Sequence, residues 1–240
     1  MKIYSTVKNL LDGFSDVPTF WEKILHPNMV SFTLCKNLRA FAKSEEGSKI
    51  DTIFDVGANE GQFAFMARYC WSLANIYCFE PDARAYERLT VNHNHDTKIV
   101  CHNFALGEVA KNVALNLGSD SAQNSILTDS TCESIGQIEI PLKTLDELYS
   151  NSDLSNSLLK IDVQGYELQV LKGGIYCLNY FSYILVEISF APIFKNGPDL
   201  DEIWSFFKNH NYLYDRVMDQ YKCPKTQKIV QMDVLFRKQL

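Results

Sequence analysis

Apolar residues change their spacing along the chain near residue 50. Before it, Leu34, Leu38 and Phe41 recur at the three- and four-residue spacing of a helix face, and Pro18 and Pro27 break the stretch into pieces. Residues 1–49 are therefore expected to form a helical N-terminal extension. Beyond it, short unbroken apolar runs alternate with helix-spaced segments. Asp51–Val56, Ile76–Phe79, Lys98–Cys101, Ser157–Asp162 and Tyr183–Ile188 read as buried strands, with helices over 62–73, 83–93, 165–172 and 199–210. Such alternation predicts a doubly wound α/β domain over 50–240, with a mostly parallel sheet and right-handed crossovers. Tyr212–Met218 and Ile229–Phe236 add two terminal strands. Val113–Leu117 and Ile138–Ile140 flank a stretch rich in Ser, Thr, Asp and Asn, which predicts an inserted β-hairpin with a mobile loop. The helix at 165–172 runs into Gly173-Gly174, residues suited to a C-cap.

Composition narrows the function classes. With 240 residues, 46% of them hydrophobic and 22% charged, the chain has enough apolar surface for a sizeable core. A net charge of −6 brings no general attraction to nucleic acid, and no nucleic-acid partner is expected. Cys35, Cys70, Cys78, Cys101, Cys132, Cys177 and Cys223 are odd in number and contain no CxxC pair. That argues against a disulfide framework or a structural zinc site and for a reducing, cytoplasmic setting. No apolar run approaches the roughly 18 residues of a membrane span, and the first residues lack the apolar stretch of a secretion signal.

The strongest chemical signal is Ile53-Phe-Asp-Val-Gly-Ala-Asn-Glu-Gly61: a strand, a glycine-bearing turn and a helix start. Ligands of open α/β sheets bind at the carboxyl ends of the strands, where glycine lets the backbone turn sharply and approach them. Glu80 ends the next strand, the expected place for a carboxylate that accepts hydrogen bonds from a ribose diol. The dinucleotide pattern GxGxxG is not met, because Asn59 and Gln62 stand at its second and third glycine positions. A side chain at Asn59 would crowd a pyrophosphate. S-adenosylmethionine (SAM) has none, and its amino-carboxylate can meet backbone N–H groups near Asn59. Asp55 either receives the SAM ammonium or organises the turn. The alternatives are a ligand-free turn and an NAD-linked oxidoreductase.

A second constellation is Leu158-Leu-Lys-Ile-Asp-Val-Gln-Gly-Tyr-Glu167. Strand alternation places Lys160 and Asp162 on one side, and a charge pair inside a buried strand calls for a purpose or a partner. Asp162 alternatively caps the following helix, and Glu167 suits the positive end of that helix. Glu187 ends the next strand and points to the same cleft, or is an ordinary strand-end carboxylate. His102 also lies at a strand end and reads first as a surface histidine. The aromatics Trp204, Phe206, Phe207, Tyr212 and Tyr214 read first as core rather than as a sugar-stacking platform. Tyr166 is the better substrate-facing choice.

Asp55-Val-Gly-Ala-Asn-Glu-Gly61, Phe79-Glu-Pro81, Asn103-Phe-Ala-Leu-Gly107, Thr144-Leu-Asp-Glu-Leu148, Leu159-Lys-Ile-Asp-Val-Gln-Gly-Tyr-Glu167 and Leu171-Lys-Gly-Gly174 together resemble the FkbM-type methyltransferases, over about residues 51–190. The resemblance implies a seven-stranded, Rossmann-like SAM methyltransferase fold and O-methylation, commonly of a sugar or natural-product hydroxyl. It implies cofactor contacts from Asp55, Gly57, Ala58, Asn59, Gly61, Glu80 and Pro81, with Asn103, Ala105 and Leu106 around the adenine. Many members carry Glu where this chain has Gln164, so a role for that carboxylate passes here to Asp162, Glu167 or Glu187. Asn124-Ser-Ile126 matches a substrate-side patch of the family.

An alcohol acceptor benefits from a general base. Asp162 is the first choice, with Glu187 and Glu167 behind it and Lys160 as orienter or alkoxide stabiliser. The turn after the Asp162 strand holds no proline, unlike that of base or amide N-methyltransferases. No cluster of hard oxygen ligands stands at a strand end, so no metal is expected. A non-catalytic SAM-binding protein is the remaining class. For residues 1–49, a lid, the arm of a homodimer and a carrier-docking surface all remain open.

Overall fold

The computed structural model describes residues 31–128, 134–190 and 193–239, and Phe32–Leu240 forms one compact unit. The expectations for residues 1–30 and for Cys132 lie outside the described residues.

Seven strands form the main sheet: β1 (Thr52–Val56), β2 (Asn75–Phe79), β3 (Ile99–His102), β7 (Ser157–Ile161), β8 (Tyr183–Ser189), β9 (Tyr212–Lys222) and β10 (Ile229–Lys238). Their order is β3-β2-β1-β7-β8-β10-β9. β10 runs antiparallel to both of its neighbours, and the other pairs are parallel. The doubly wound, mostly parallel sheet expected from the apolar runs is the one observed. The strand order, running outward from β1 to β3 on one side, reverses at β1/β7, so the crevice past the strand ends opens there.

Strand alternation separates the two faces. Phe54, Val56, Leu159, Ile161, Ile184, Val186, Val234 and Phe236 enter one large core with α4 (Leu145–Tyr149), α5 (Glu167–Lys172) and α6 (Leu200–Asn209). Phe206, Phe207 and Tyr212 join it, as the core reading required. Trp204 and Tyr214 stay 41% and 48% exposed and stack on each other at 5.8 Å. The opposite face carries α2 (Gln62–Cys70) and α1 (Phe32–Ala42). α1 packs on the sheet through Phe41, 4.9 Å from the Tyr183 ring, and Asn37 Nδ2 donates to the Met218 carbonyl at 2.7 Å. The helix expected from Leu34, Leu38 and Phe41 is therefore built into the sheet domain.

Side chains set several helix starts. Asp82 caps α3 (Ala83–His93) by accepting from Arg84 N, Thr144 caps α4, and Asp199 with Glu202 forms a reciprocal capping box on α6.

Between β3 and β7 the chain builds a second, three-stranded sheet, β4 (Ala105–Leu106), β6 (Gly136–Lys143) and β5 (Lys111–Leu117), in the order β4-β6-β5. The expected hairpin is its β5–β6 pair. Residues 118–128 do not hang free: Ser121 Oγ donates to Asn59 Oδ1 at 2.8 Å, Asn124 Nδ2 to Asp82 Oδ2 at 2.9 Å and Ser125 Oγ to the Gln164 carbonyl at 2.6 Å. This segment is a strap across the strand ends.

Gly173 is the C-cap of α5, as expected, and its φ of −74° is right-handed, so the cap does not use the left-handed conformation that favours glycine. A Cβ there would fall 1.9 Å from the Gly107 carbonyl oxygen, and one at Gly174 would fall 2.9 Å from Leu145 Cδ1. Asp146 N also donates to the Gly173 carbonyl at 3.0 Å. The two glycines are there for close approach.

Candidate functional site

Strand register brings the site together. Val56 pairs with Phe79 and with Ile161, Phe79 with His102, and Ile161 with Val186. One residue further, the chain leaves the sheet at Asn103, Glu80, Gly57 and Asp162. Glu187 lies beside Asp162, Asp233 is paired with Glu187, and Asp219 with Asp233. Asn103, Glu80, Gly57, Asp162, Glu187, Asp233 and Asp219 thus form one row along the carboxyl edge. Strands stand ~4.8 Å apart and in-register side chains share a face, so the row is a line of neighbours.

At its β2 end the row is organised by backbone. Glu80 is buried; Oε2 accepts from Asn59 N and Oε1 from Asp82 N, both at 2.8 Å. Burial raises its pKa to about 7 against the pull of those N–H groups. Each oxygen keeps a lone pair for a further donor. Asn103 Nδ2 holds the carbonyls of Glu80 and Pro81 at 2.9 and 3.1 Å. Three residues of the glycine turn are left-handed: Gly57 at φ 78°, Asn59 at 49° and Gly61 at 93°. At Gly57 a Cβ would sit 1.9 Å from the Asp162 carbonyl oxygen, and at Gly61 it would sit 2.3 Å from His93 Nε2. His93 is a support that the sequence reading missed; its Nε2 meets the Gly61 carbonyl at 3.1 Å. Ala58 is buried, with its N–H on the Phe79 carbonyl. Ala105 and Leu106, just past Asn103, are buried in the cores of the small and large sheets.

Below the row lies an ion pair whose nearer acid is not the expected Asp162 but Asp55, on the neighbouring strand β1. Asp55 is fully buried and Lys160 Nζ stands 3.0 Å from its Oδ1, with the Gly57 carbonyl at 3.1 Å and Asp162 at 3.7 Å. Burial alone would lower the Lys160 pKa, but Asp55 and Asp162 outweigh it and the net shift is upward. Of the two roles open to Asp55, the geometry matches organiser of the turn, through Lys160.

At the β8–β10 end the row is organised by side chains. Asp162 is the most accessible member of the ion-pair group, its side chain 34% exposed. Gln164 Nε2 donates to Asp162 Oδ1 at 2.9 Å and to Glu187 Oε2 at 3.3 Å, and Gln231 Nε2 donates to the same Glu187 oxygen at 2.8 Å. Gln164, at φ 54°, precedes Gly165, at φ 94°, where a Cβ would meet the Phe194 ring at 2.6 Å. Burial and then Asp162 push Glu187 well above its usual range, and the same causes raise Asp233 to about 7.

Glu167 is brought near but is used elsewhere. It is buried, and its Oε1 accepts from Val163 N at 3.1 Å and Gly165 N at 3.0 Å, which braces the turn. Tyr166 packs on the small sheet, not toward the row. His102 is not a free surface group: it is stacked on Phe79 at 5.1 Å, with burial lowering its pKa. Among the described residues no group of three or more His, Cys, Asp or Glu is arranged to hold a metal ion. Asp233, Asp219 and Gln231 were missed. The signal for Asp233 was one acid inside the run Ile229–Phe236, but its partner depends on a register that sequence does not give.

The turn fits a SAM-type nucleoside and fits a dinucleotide poorly. Glu80 keeps acceptor capacity for a ribose diol, whereas the side chain of Asn59 takes the place where a pyrophosphate needs bare backbone.

The family model described as "Methyltransferase FkbM domain" matches residues 55–214. The hexuronic acid methyltransferase AglP of Haloferax volcanii is 30% identical over 146 residues, covering 60% of this chain and 58% of AglP. The 2-O-methyltransferase NoeI of Sinorhizobium fredii is 25% identical over 158 residues, covering 60% of this chain and 65% of NoeI. This chain thus matches less than two thirds of the length of either relative. The crystal structure of methyltransferase FkbM from Methylobacillus flagellatus superposes with a TM-score of 0.51 at 14% identity, covering 79% of this chain and 44% of that one, which shows a shared fold.

Proposed function

The chain belongs to the FkbM methyltransferase family, and from that premise we propose that it is a SAM-dependent O-methyltransferase acting on a hydroxyl of a sugar. The observation that carries the reading is the single row in which Glu80 and Asp162 flank the Gly57 turn. One end suits a nucleoside diol and the other a hydroxyl to be deprotonated. The names of AglP and NoeI support a sugar acceptor.

Glu80, Asn59 and the backbone of Gly57–Gly61 would hold SAM, with Asn103 and Pro81 shaping the wall. When bound, SAM supplies a sulfonium-activated methyl group. The chain itself supplies position and a proton acceptor. Asp162 is the general base: it is the accessible carboxylate, held by Gln164, and it would take the proton of the acceptor hydroxyl as the methyl group passes from sulfur to that oxygen. Lys160, held by Asp55 and 3.7 Å from Asp162, orients the base. Glu187 orients Gln164 and thereby Asp162.

The enzyme works in the cytoplasm, where the six described cysteines remain thiols. Among the described residues no helix is long and apolar enough to cross a membrane. The acceptor is a small molecule or glycan, not nucleic acid, in keeping with the net charge of −6. Residues 1–31 serve as an extension to the domain that begins with α1, and as the arm of a homodimer. Light scattering of the full chain and of a chain starting at residue 32 tests the arm, because that cut keeps α1.

Calorimetry with S-adenosylhomocysteine (SAH), then with NAD, tests the cofactor. SAH should bind, NAD should not, and Glu80→Ala should weaken SAH by roughly ten- to a hundred-fold. Binding of NAD in place of SAH would refute the reading in favour of an oxidoreductase.

A further inference from the structure

We infer that the acceptor is an uncharged sugar, and that this cleft discriminates against a sugar carrying a carboxylate near the reacting hydroxyl. This rests on the methyltransferase reading and names the substrate class of the same site.

From Gly57 outward, the row consists of Asp162, Glu187, Asp233 and Asp219, on or just past four adjacent strands. A sugar placed with a hydroxyl at Asp162 lies along this line, whose members repeat at the strand spacing of ~4.8 Å. Lys160 is the cation whose charge acts on both Glu187 and Asp233, and it is engaged: Asp55 at 3.0 Å and the Gly57 carbonyl at 3.1 Å hold its ammonium. The polar groups between the acids are two amides. Gln164 and Gln231 both donate to Glu187 Oε2. Carboxyl and amide groups in alternation present donors and acceptors suited to neutral hydroxyls. A uronate carboxylate would add negative charge to a row in which burial and neighbouring carboxylates already hold Glu187 and Asp233 above their usual range, and Lys160, the cation acting on both, is already engaged. Gln164 matters for the same reason, because glutamate there would add one more anion between Asp162 and Glu187. The contrast with AglP, whose name specifies a hexuronic acid, makes the inference sharp.

The test uses the full chain saturated with SAH, with SAH binding measured first on the same sample. Saturation-transfer NMR then compares matched methyl glycosides: glucoside with glucuronide, galactoside with galacturonide, and the corresponding disaccharides. The neutral member of a pair should bind at least roughly ten-fold tighter. Asp219→Asn and Asp233→Asn should each narrow that gap several-fold without changing SAH affinity. Two separate variants guard against one that fails to fold. Uronate binding equal to or tighter than neutral binding overturns the inference and leaves the methyltransferase reading in place. So does a gap that neither variant narrows. Binding of neither series removes sugars from this cleft and the inference with them. Absence of SAH binding overturns the methyltransferase reading, and the inference falls with it.

Discussion

The two ends of the strand-edge row solve the same problem, a carboxylate held largely out of water, by different means. At the β2 end, Glu80 is held by two backbone N–H groups, and left-handed glycines set the turn that supplies one of them. At the β8–β10 end, Asp162, Glu187 and Asp233 are held by side-chain amides and by one another's register. Backbone donors are fixed by chain geometry and cannot be exchanged for others. Side-chain donors can be exchanged, so the first end suits an invariant ligand and the second a variable one.

Substitutions can break or sharpen this contrast. The largest effect is expected at the variable end. Asp162→Asn should reduce methyl transfer by about 10²–10⁴-fold with SAH affinity unchanged; turnover within a few-fold of the parent would remove Asp162 as the base. Next comes the pair beneath both ends. Lys160→Met leaves Asp55 buried without its cation and should cost about 3–5 kcal/mol in urea unfolding. Gly57→Ala belongs to the backbone end. Its Cβ would collide with the Asp162 carbonyl, and about 1–3 kcal/mol of stability should go together with SAH binding. If SAH binding survives, the turn is not the cofactor seat.

The smallest effect is one of pH. Burial raises Asp233 from 3.8 to about 7, and Glu80 and Glu167 from 4.5 to about 7. The folded state therefore binds more protons than the unfolded state between about pH 4 and pH 7, and stability falls as pH rises through that window. Asp233→Asn should flatten this fall, gaining stability at pH 8 and none at pH 4. A parallel curve for the variant would show that Asp233 does not titrate there.

The same contrast explains what the sequence revealed. The backbone end is local: Asp55 to Gly61 and Glu80 follow one another through one strand–turn–helix–strand unit, and local rules read such units well. The parallel strands were legible because burial on both faces leaves unbroken apolar runs such as Tyr183–Ile188. Asp233 was invisible as a site residue because its neighbour Glu187 is 46 positions earlier, and only the antiparallel insertion of β10 beside β8 makes them adjacent. Glu167 was weighed as a base because sequence shows a carboxylate after a strand but not which N–H groups it will bind. The strap at 118–128 read as a free loop because its three anchors, Asn59, Asp82 and Gln164, are each remote in sequence.

The contact at Gly173 has an evolutionary consequence. Asn103-Phe-Ala-Leu-Gly107, Thr144-Leu-Asp-Glu-Leu148 and Leu171-Lys-Gly-Gly174 look like three independent signatures, yet they meet there: Gly173 against the Gly107 carbonyl, Gly174 against Leu145, and Asp146 N on the Gly173 carbonyl. A change in one is tolerated only with an answering change in another, so the three should drift together through a lineage. What they preserve is the seating of the small sheet on the large one, while acceptor chemistry is left free to diverge elsewhere along the strand ends.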